Sequence, residues 1–108
     1  MTVRHVVFWK LSATTPAERE RQVSVIRDSL TALVGRIDGL HALHVHPTLD
    51  VEQPWDVVMD AQFSDASALT AYLRHPLHEA AGRNAVGMVV DRVAADFEDD
   101  DDAGARAG

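Results

Sequence analysis

Cysteine is absent from this 108-residue sequence, which removes disulfides, thiolate metal ligands and cysteine nucleophiles together. Long apolar runs are missing too: none approaches the ~20 residues that span a bilayer. The opening Met1-Thr2-Val3-Arg4-His5 leads straight into strand-like sequence and does not resemble a signal peptide. No membrane partner is expected, and a cytoplasmic protein is the default. Lysine is nearly missing, Lys10 standing alone among the basic residues, and the arginines form no basic face of the kind that nucleic-acid binding demands. There is no glycine-rich phosphate loop, no G-x-S-x-G and no H-E-x-x-H, so no cofactor and no metal is implied. The formal net charge of -7 owes most to one place, the unbroken acidic run from Glu98 to Asp102. Adjacent like charges repel and stay extended, so residues 98–108 read as a disordered acidic tail after a single domain over residues 2–97.

What is present is organised by period. Arg4 to Leu11 is a strand apolar at both parities, His5, Val7 and Trp9 sharing one face with Val3, and Val6 and Phe8 the other; a strand covered on both sides is expected. Thr15, Pro16 and Glu18 form a helix start with a capping box. The helix then carries Val23, Ile26, Leu30, Leu33, Val34 and Ile37 along one stripe, and Gly35 or Gly39 ends it. Leu40 to Pro47 alternates, Leu43 and Val45 against Ala42, His44 and His46. Trp55 to Phe63 alternates again. Ser64 or Asp65 caps a second helix with Leu69, Tyr72 and Leu73 facing inward. Leu77 to about Val86 is a weaker helix, and Val89 to Phe97 is the last strand.

Strand, helix, strand, strand, broken helix, strand is the βαββαβ order of an α+β, ferredoxin-like fold with a four-stranded antiparallel sheet. Two helical layers cover one sheet face only, yet the first strand is apolar on both. The second face is therefore expected to pack on another copy of the chain, a homodimer through the sheet.

Chemistry concentrates in Tyr72-Leu73-Arg74-His75-Pro76-Leu77-His78, which holds the only tyrosine and two of the six histidines. Pro76 has no N–H and pushes His75 out of helical geometry, so one helix stops near Arg74 and the next starts at Pro76. His75 then falls at an N-cap and His78 in a first turn, where the positive helix end favours neutral imidazole. His5, Val7 and Trp9 face the same space as Tyr72 if that strand face lies under the helices. A mostly apolar hollow with a few convergent polar groups suits a small hydrophobic carbonyl ligand. In it a neutral His takes a proton next to the carbonyl while the phenol hydrogen-bonds its oxygen. His44 and His46 point to one side of their strand, but no recognised ligand spacing accompanies them, and they read as polar strand residues.

Arg4-His5-Val6-Val7-Phe8-Trp9-Lys10, the Tyr-x-x-His-Pro-x-His stretch at Tyr72–His78, and the closing Asp96-Phe97-Glu98 together resemble the stress-responsive A/B barrel (Dabb) family. The likeness runs over residues 2 to 97 and implies a dimeric α/β barrel. A plant polyketide cyclase of that family closes a linear tetraketide by aldol condensation. Its catalytic tyrosine and histidine match Tyr72 and His78, and its first-strand pocket histidine matches His5. The chain departs from it at Val57, where the cyclase has a histidine. It departs also at Ala80, Ala81 and Gly82, which replace bulky pocket aromatics, and in offering Arg92 on the last strand. The resemblance implies His78 as general base, Tyr72 as the carbonyl-orienting group, and His5, Val7 and Trp9 at the substrate. A non-catalytic stress-associated or ligand-binding dimer is the alternative, and fold analogy adds a barrel monooxygenase.

Overall fold

The computed structural model describes residues 2–49 and 51–99. In chain order it contains β1 (Thr2–Leu11), α1 (Pro16–Thr31), β2 (Leu40–Pro47), β3 (Val57–Phe63), α2 (Ala66–Leu73), α3 (Pro76–Arg83) and β4 (Val89–Asp99). The strands form one antiparallel sheet in the order β2-β3-β1-β4, the ferredoxin-like arrangement. β1 is central, paired with β3 on one side and β4 on the other.

The alternation along β1 sorts its residues as the sequence predicts. Val3, His5, Val7 and Leu11 are buried under the helices, while Val6 and Phe8 lie half-buried on the far face. Each buried β3 position (Val57, Met59, Ala61, Phe63) sits on the helix side with its β1 partner. The core between sheet and helices is completed by Val23, Ile26 and Leu30 of α1, Leu43 and Val45 of β2, and Leu69 and Tyr72 of α2. Full burial of side chains such as Phe63 contributes roughly 1.5–3 kcal/mol apiece. On the far face, Phe8 lies opposite Val58 on β3 and Val93 on β4, and Val6 opposite Ala95. Val93 and Phe97 are about half exposed there, at 47% and 49%. The second face thus carries an apolar strip (Val6, Phe8, Val58, Val93, Phe97) left uncovered within one chain and bordered by polar residues such as Arg4, Asp60, His44 and His46.

Several boundaries differ from the sequence reading. α1 ends at Thr31, ahead of Val34: i→i−3 bonds such as Leu33 N–H to the Leu30 carbonyl (3.0 Å) tighten the chain into turns, and the Thr31 hydroxyl bonds back to the Arg27 carbonyl. Val34 is consequently exposed, while Leu33 and Ile37 stay in the core through the turns. Gly39 has φ +82°, and a Cβ there would meet the Ala68 Cβ at 2.5 Å. Of the capping box at Thr15, the bond from the Glu18 N–H to the Thr15 hydroxyl is formed (3.2 Å). β3 starts at Val57, because Asp56 turns its carboxylate to the Leu11 N–H (2.8 Å) and to Arg19 (3.3 Å).

The last correction concerns the acidic tail. Glu98 and Asp99 belong to β4, paired with Val3 and Thr2. Arg4 gives them a reason to stay: its guanidinium bonds Asp60 (Nη1 to Oδ2, 2.8 Å) and its Nε lies 2.9 Å from Asp99 Oδ2, close enough to pair but not aligned for a hydrogen bond. The rest of the expected tail, residues 100–108, lies outside the described residues.

Candidate active site

Pro76 does at the α2–α3 junction what its covalent structure requires. α2 stops at Leu73, His75 adopts an extended conformation (φ -71°, ψ 135°), and α3 begins at Pro76. The His75 ring accepts the Leu77 N–H through Nδ1 at 3.0 Å, capping α3. That commits His75 to the backbone and leaves His78, in the first turn, as the free imidazole of the pair. Tyr72, in the last turn of α2, is buried to 1% exposure. Its ring stands edge-on to Phe63 (centroids 5.0 Å apart) and tilted against His78 (4.4 Å). Leu73 is 42% exposed and so not part of the buried stripe; as the last α2 residue it lines the rim of a cavity instead.

That cavity has a volume of about 470 Å³ and lies between the sheet and the helices. His5, Val7 and Trp9 of β1, Tyr72 of α2 and His78 of α3 all line it. The structure therefore gathers all five residues singled out from the sequence around one hollow. The remaining wall is apolar except for Ser29 of α1 and Arg92 of β4.

Two polar atoms in the wall are orphans. The Tyr72 hydroxyl and His78 Nδ1 are buried with no hydrogen-bond partner among the described residues. Buried polar groups are nearly always satisfied, so a pair of unsatisfied ones beside a cavity points to a ligand or to water. Burial raises the phenol to about 12, so Tyr72 is a hydrogen-bond donor at neutral pH and not a phenolate. His78 is lowered from its ordinary value, mainly by burial. The Leu73 carbonyl pulls it back up, His5 lowers it, Glu79 raises it and Arg92 lowers it. Desolvation of the imidazolium leads these effects.

His5 is held by a residue to which the sequence reading gave no role. Its Nδ1 lies 2.5 Å from Asp96 Oδ1, across the β1–β4 pair in which the two residues are direct partners. A carboxylate can only accept here, so Nδ1 carries a proton toward Asp96 and the ring orientation is fixed. The His5 ring meets Tyr72 at 6.3 Å, edge to face. One signal was available beforehand: an Asp one residue before an outward Phe97 must point under the helices.

Other candidates separate from this site. His44 and His46 stack at 6.3 Å on the far sheet face, His44 opposite Asp60. No group of three potential metal ligands exists among the described residues. A wider groove of about 820 Å³ between the start of α1 and the β2–β3 connection has a mixed polar and apolar lining, and its Arg19 is engaged by Thr48 and Asp56. No helix among the described residues is long and apolar enough to cross a membrane.

The fold and pocket define a ferredoxin-like α+β protein with an apolar cavity under its helices. Residues 3–99 match the family model of the Stress Responsive A/B Barrel Domain, and the chain belongs to that Dabb family. No curated protein matches it significantly. Among solved structures it is similar to a dimeric protein of ferredoxin-like fold and unknown function from Bacteroides fragilis, with TM-score 0.80 and 23% identity over 90% of this chain and 95% of that one. A dimeric ferredoxin-like protein of unknown function from Thermobifida fusca matches with TM-score 0.70 and 26% identity, covering 90% of each chain. SnoaB, a cofactor-independent oxygenase from Streptomyces nogalater, shares the fold at TM-score 0.69 and 19% identity, over 91% of this chain and 92% of that one.

Proposed function

We propose that the protein is a homodimeric, cyclase-like enzyme that abstracts a proton next to a carbonyl in the cavity of each protomer. The observation that carries this reading is the pair of buried, unpartnered polar atoms, Tyr72 hydroxyl and His78 Nδ1, at one apolar hollow. His78 is biased to the neutral form and takes a proton from the carbon between two carbonyls. The electron pair of that C–H bond moves onto the carbonyl oxygen as an enolate, which accepts a hydrogen bond from the Tyr72 hydroxyl. The enolate carbon then attacks a second carbonyl of the same chain, and the alkoxide so formed takes the proton back from His78. The step is an aldol closure with no change of oxidation state. The likeness to olivetolic acid cyclase, whose catalytic pair matches Tyr72 and His78, supports the same assignment. His5, with Asp96 behind it, Val7 and Trp9 line the substrate's other face.

The apolar far face of the sheet and the dimeric relatives support assembly of two chains through that face. The test of the activity is incubation with a poly-β-keto thioester, following loss of the linear chain and appearance of the cyclic aldol product. Turnover that His78→Ala abolishes without changing the melting transition or the mass in solution supports the reading. Absence of turnover, or loss of folding in His78→Ala, favours the non-catalytic ligand-binding dimer.

A further inference from the structure

We propose that Arg92 is the anchor for an anionic substrate, so that the cavity takes a ligand with an apolar body and a carboxylate at one end. The inference takes the cavity as the substrate site, as proposed above, and adds the chemical class of what enters it.

Among the described residues Arg92 is the only permanently charged one in the cavity wall, and no carboxylate lines it. Its backbone N–H is bonded to the Asp91 carboxylate (2.8 Å), but its guanidinium has no hydrogen bond or ion pair among the described residues. Arg4 and Arg19 are paired with aspartates, and of the arginines left without a partner among the described residues Arg92 is the one that lines the cavity, its side chain otherwise open to solvent. The acids near it in sequence are otherwise engaged. Asp91 sits at the opposite parity, facing Lys10's side of the pair, and Asp96 is bound to His5. Ala94, between Arg92 and Asp96 on the same side of β4, obstructs nothing. A chain of formal net charge -7 repels anions in general. A lone cation at an apolar mouth reverses that locally and supplies a planar, bidentate fork for a carboxylate.

Register sets how far apart the two levels lie along the strand. Arg92 is opposite Trp9, and Asp96 is opposite His5. Four strand residues, ~13 Å, therefore separate the Arg92 level from the His5 level, and Tyr72 with His78 stands at the His5 end. The ligand carries its carboxylate several bonds from the reacting carbonyl, as an extended keto acid does. Arg92 is also within electrostatic reach of His78, on which it acts to favour the neutral ring. It is a binding residue, and its role is in substrate choice.

The experiment is calorimetric binding of 6-phenylhexanoate and its neutral isostere 6-phenylhexanamide to the intact protein. The acid is expected to bind at least tenfold more tightly than the amide at low salt. Arg92→Gln should remove that preference while leaving the amide's affinity within twofold, and Arg92→Lys should keep part of it. Equal binding of the two ligands, binding of neither at millimolar concentration, or a preference that survives Arg92→Gln overturns the assignment. Thioester turnover is measured on the same samples, so the two readings fail separately. Acid preference without turnover removes the enzyme and keeps the anchor; turnover without acid preference does the reverse.

Discussion

His5 and Asp96 face each other across the β1–β4 pair with Nδ1 2.5 Å from Oδ1, the imidazole at 5% side-chain exposure and the carboxylate at 48%. A buried ring is thus oriented from the solvent side. Asp96→Ala should free the His5 tautomer and lower turnover by about tenfold, the usual scale for losing one oriented hydrogen bond to a charged group. The half-exposed carboxylate limits the stability loss to about 1 kcal/mol or less. Nitrogen-15 spectra of the His5 ring check the first point: one tautomer in the wild type, a mixture in the variant. An unchanged tautomer would show that Asp96 does not orient the ring.

Tyr72→Phe separates packing from chemistry. The hydroxyl has no partner among the described residues, so its removal should cost no stability and is expected to add up to about 1 kcal/mol. Turnover should fall by roughly 10²–10³-fold, as on loss of an oxyanion donor. A large drop in melting temperature would instead mark the hydroxyl as structural.

The pH behaviour follows from two shifts of opposite sign. His78 is lowered in the folded protein, so the unfolded chain binds its proton more readily. The stability His78 contributes is complete above the ordinary histidine value near 6.5 and is lost as pH falls from there through the folded value. Activity should fall on the acid side, along a limb whose midpoint lies below 6.5. Tyr72 is raised to about 12. Its contribution is complete below the unfolded value of about 10 and is lost as pH rises from 10 toward 12. Proton NMR titration of the His78 ring and denaturant melts across pH test both; a His78 midpoint above 6.5 would contradict the first.

Phe8→Asp places a charge at the centre of the apolar far face, opposite Val58 and Val93. A carboxylate buried there without a partner opposes association, so the variant should be a monomer. Light scattering should report about twice the 11.8 kDa chain mass for the wild type and a single chain mass for the variant. A wild-type monomer at micromolar concentration would remove the proposed dimer.

Gly39→Ala meets both a positive φ and the Ala68 Cβ at 2.5 Å. It should lower stability by about 2 kcal/mol or more, read in a denaturant melt, whereas Gly35→Ala has room and only the backbone cost.

Local sequence was enough for the order of elements, for His5, Val7 and Trp9 sharing one face of β1, and for the break at Pro76. Each of these is written in residues close together along the chain: a period of two, a period of three to four, a ring without an N–H. It also placed Tyr72 and His78 near each other, since only six positions separate them and the helix junction between them is two residues long. Whether Glu98 and Asp99 are strand or tail, and what holds His5, came from tertiary contacts alone. Those outcomes depend on pairing between residues more than ninety positions apart, where Arg4 finds Asp99 and His5 finds Asp96. The hollow itself is of the same kind, because its volume is set by how far the helices stand off the sheet. No local pattern encodes that distance.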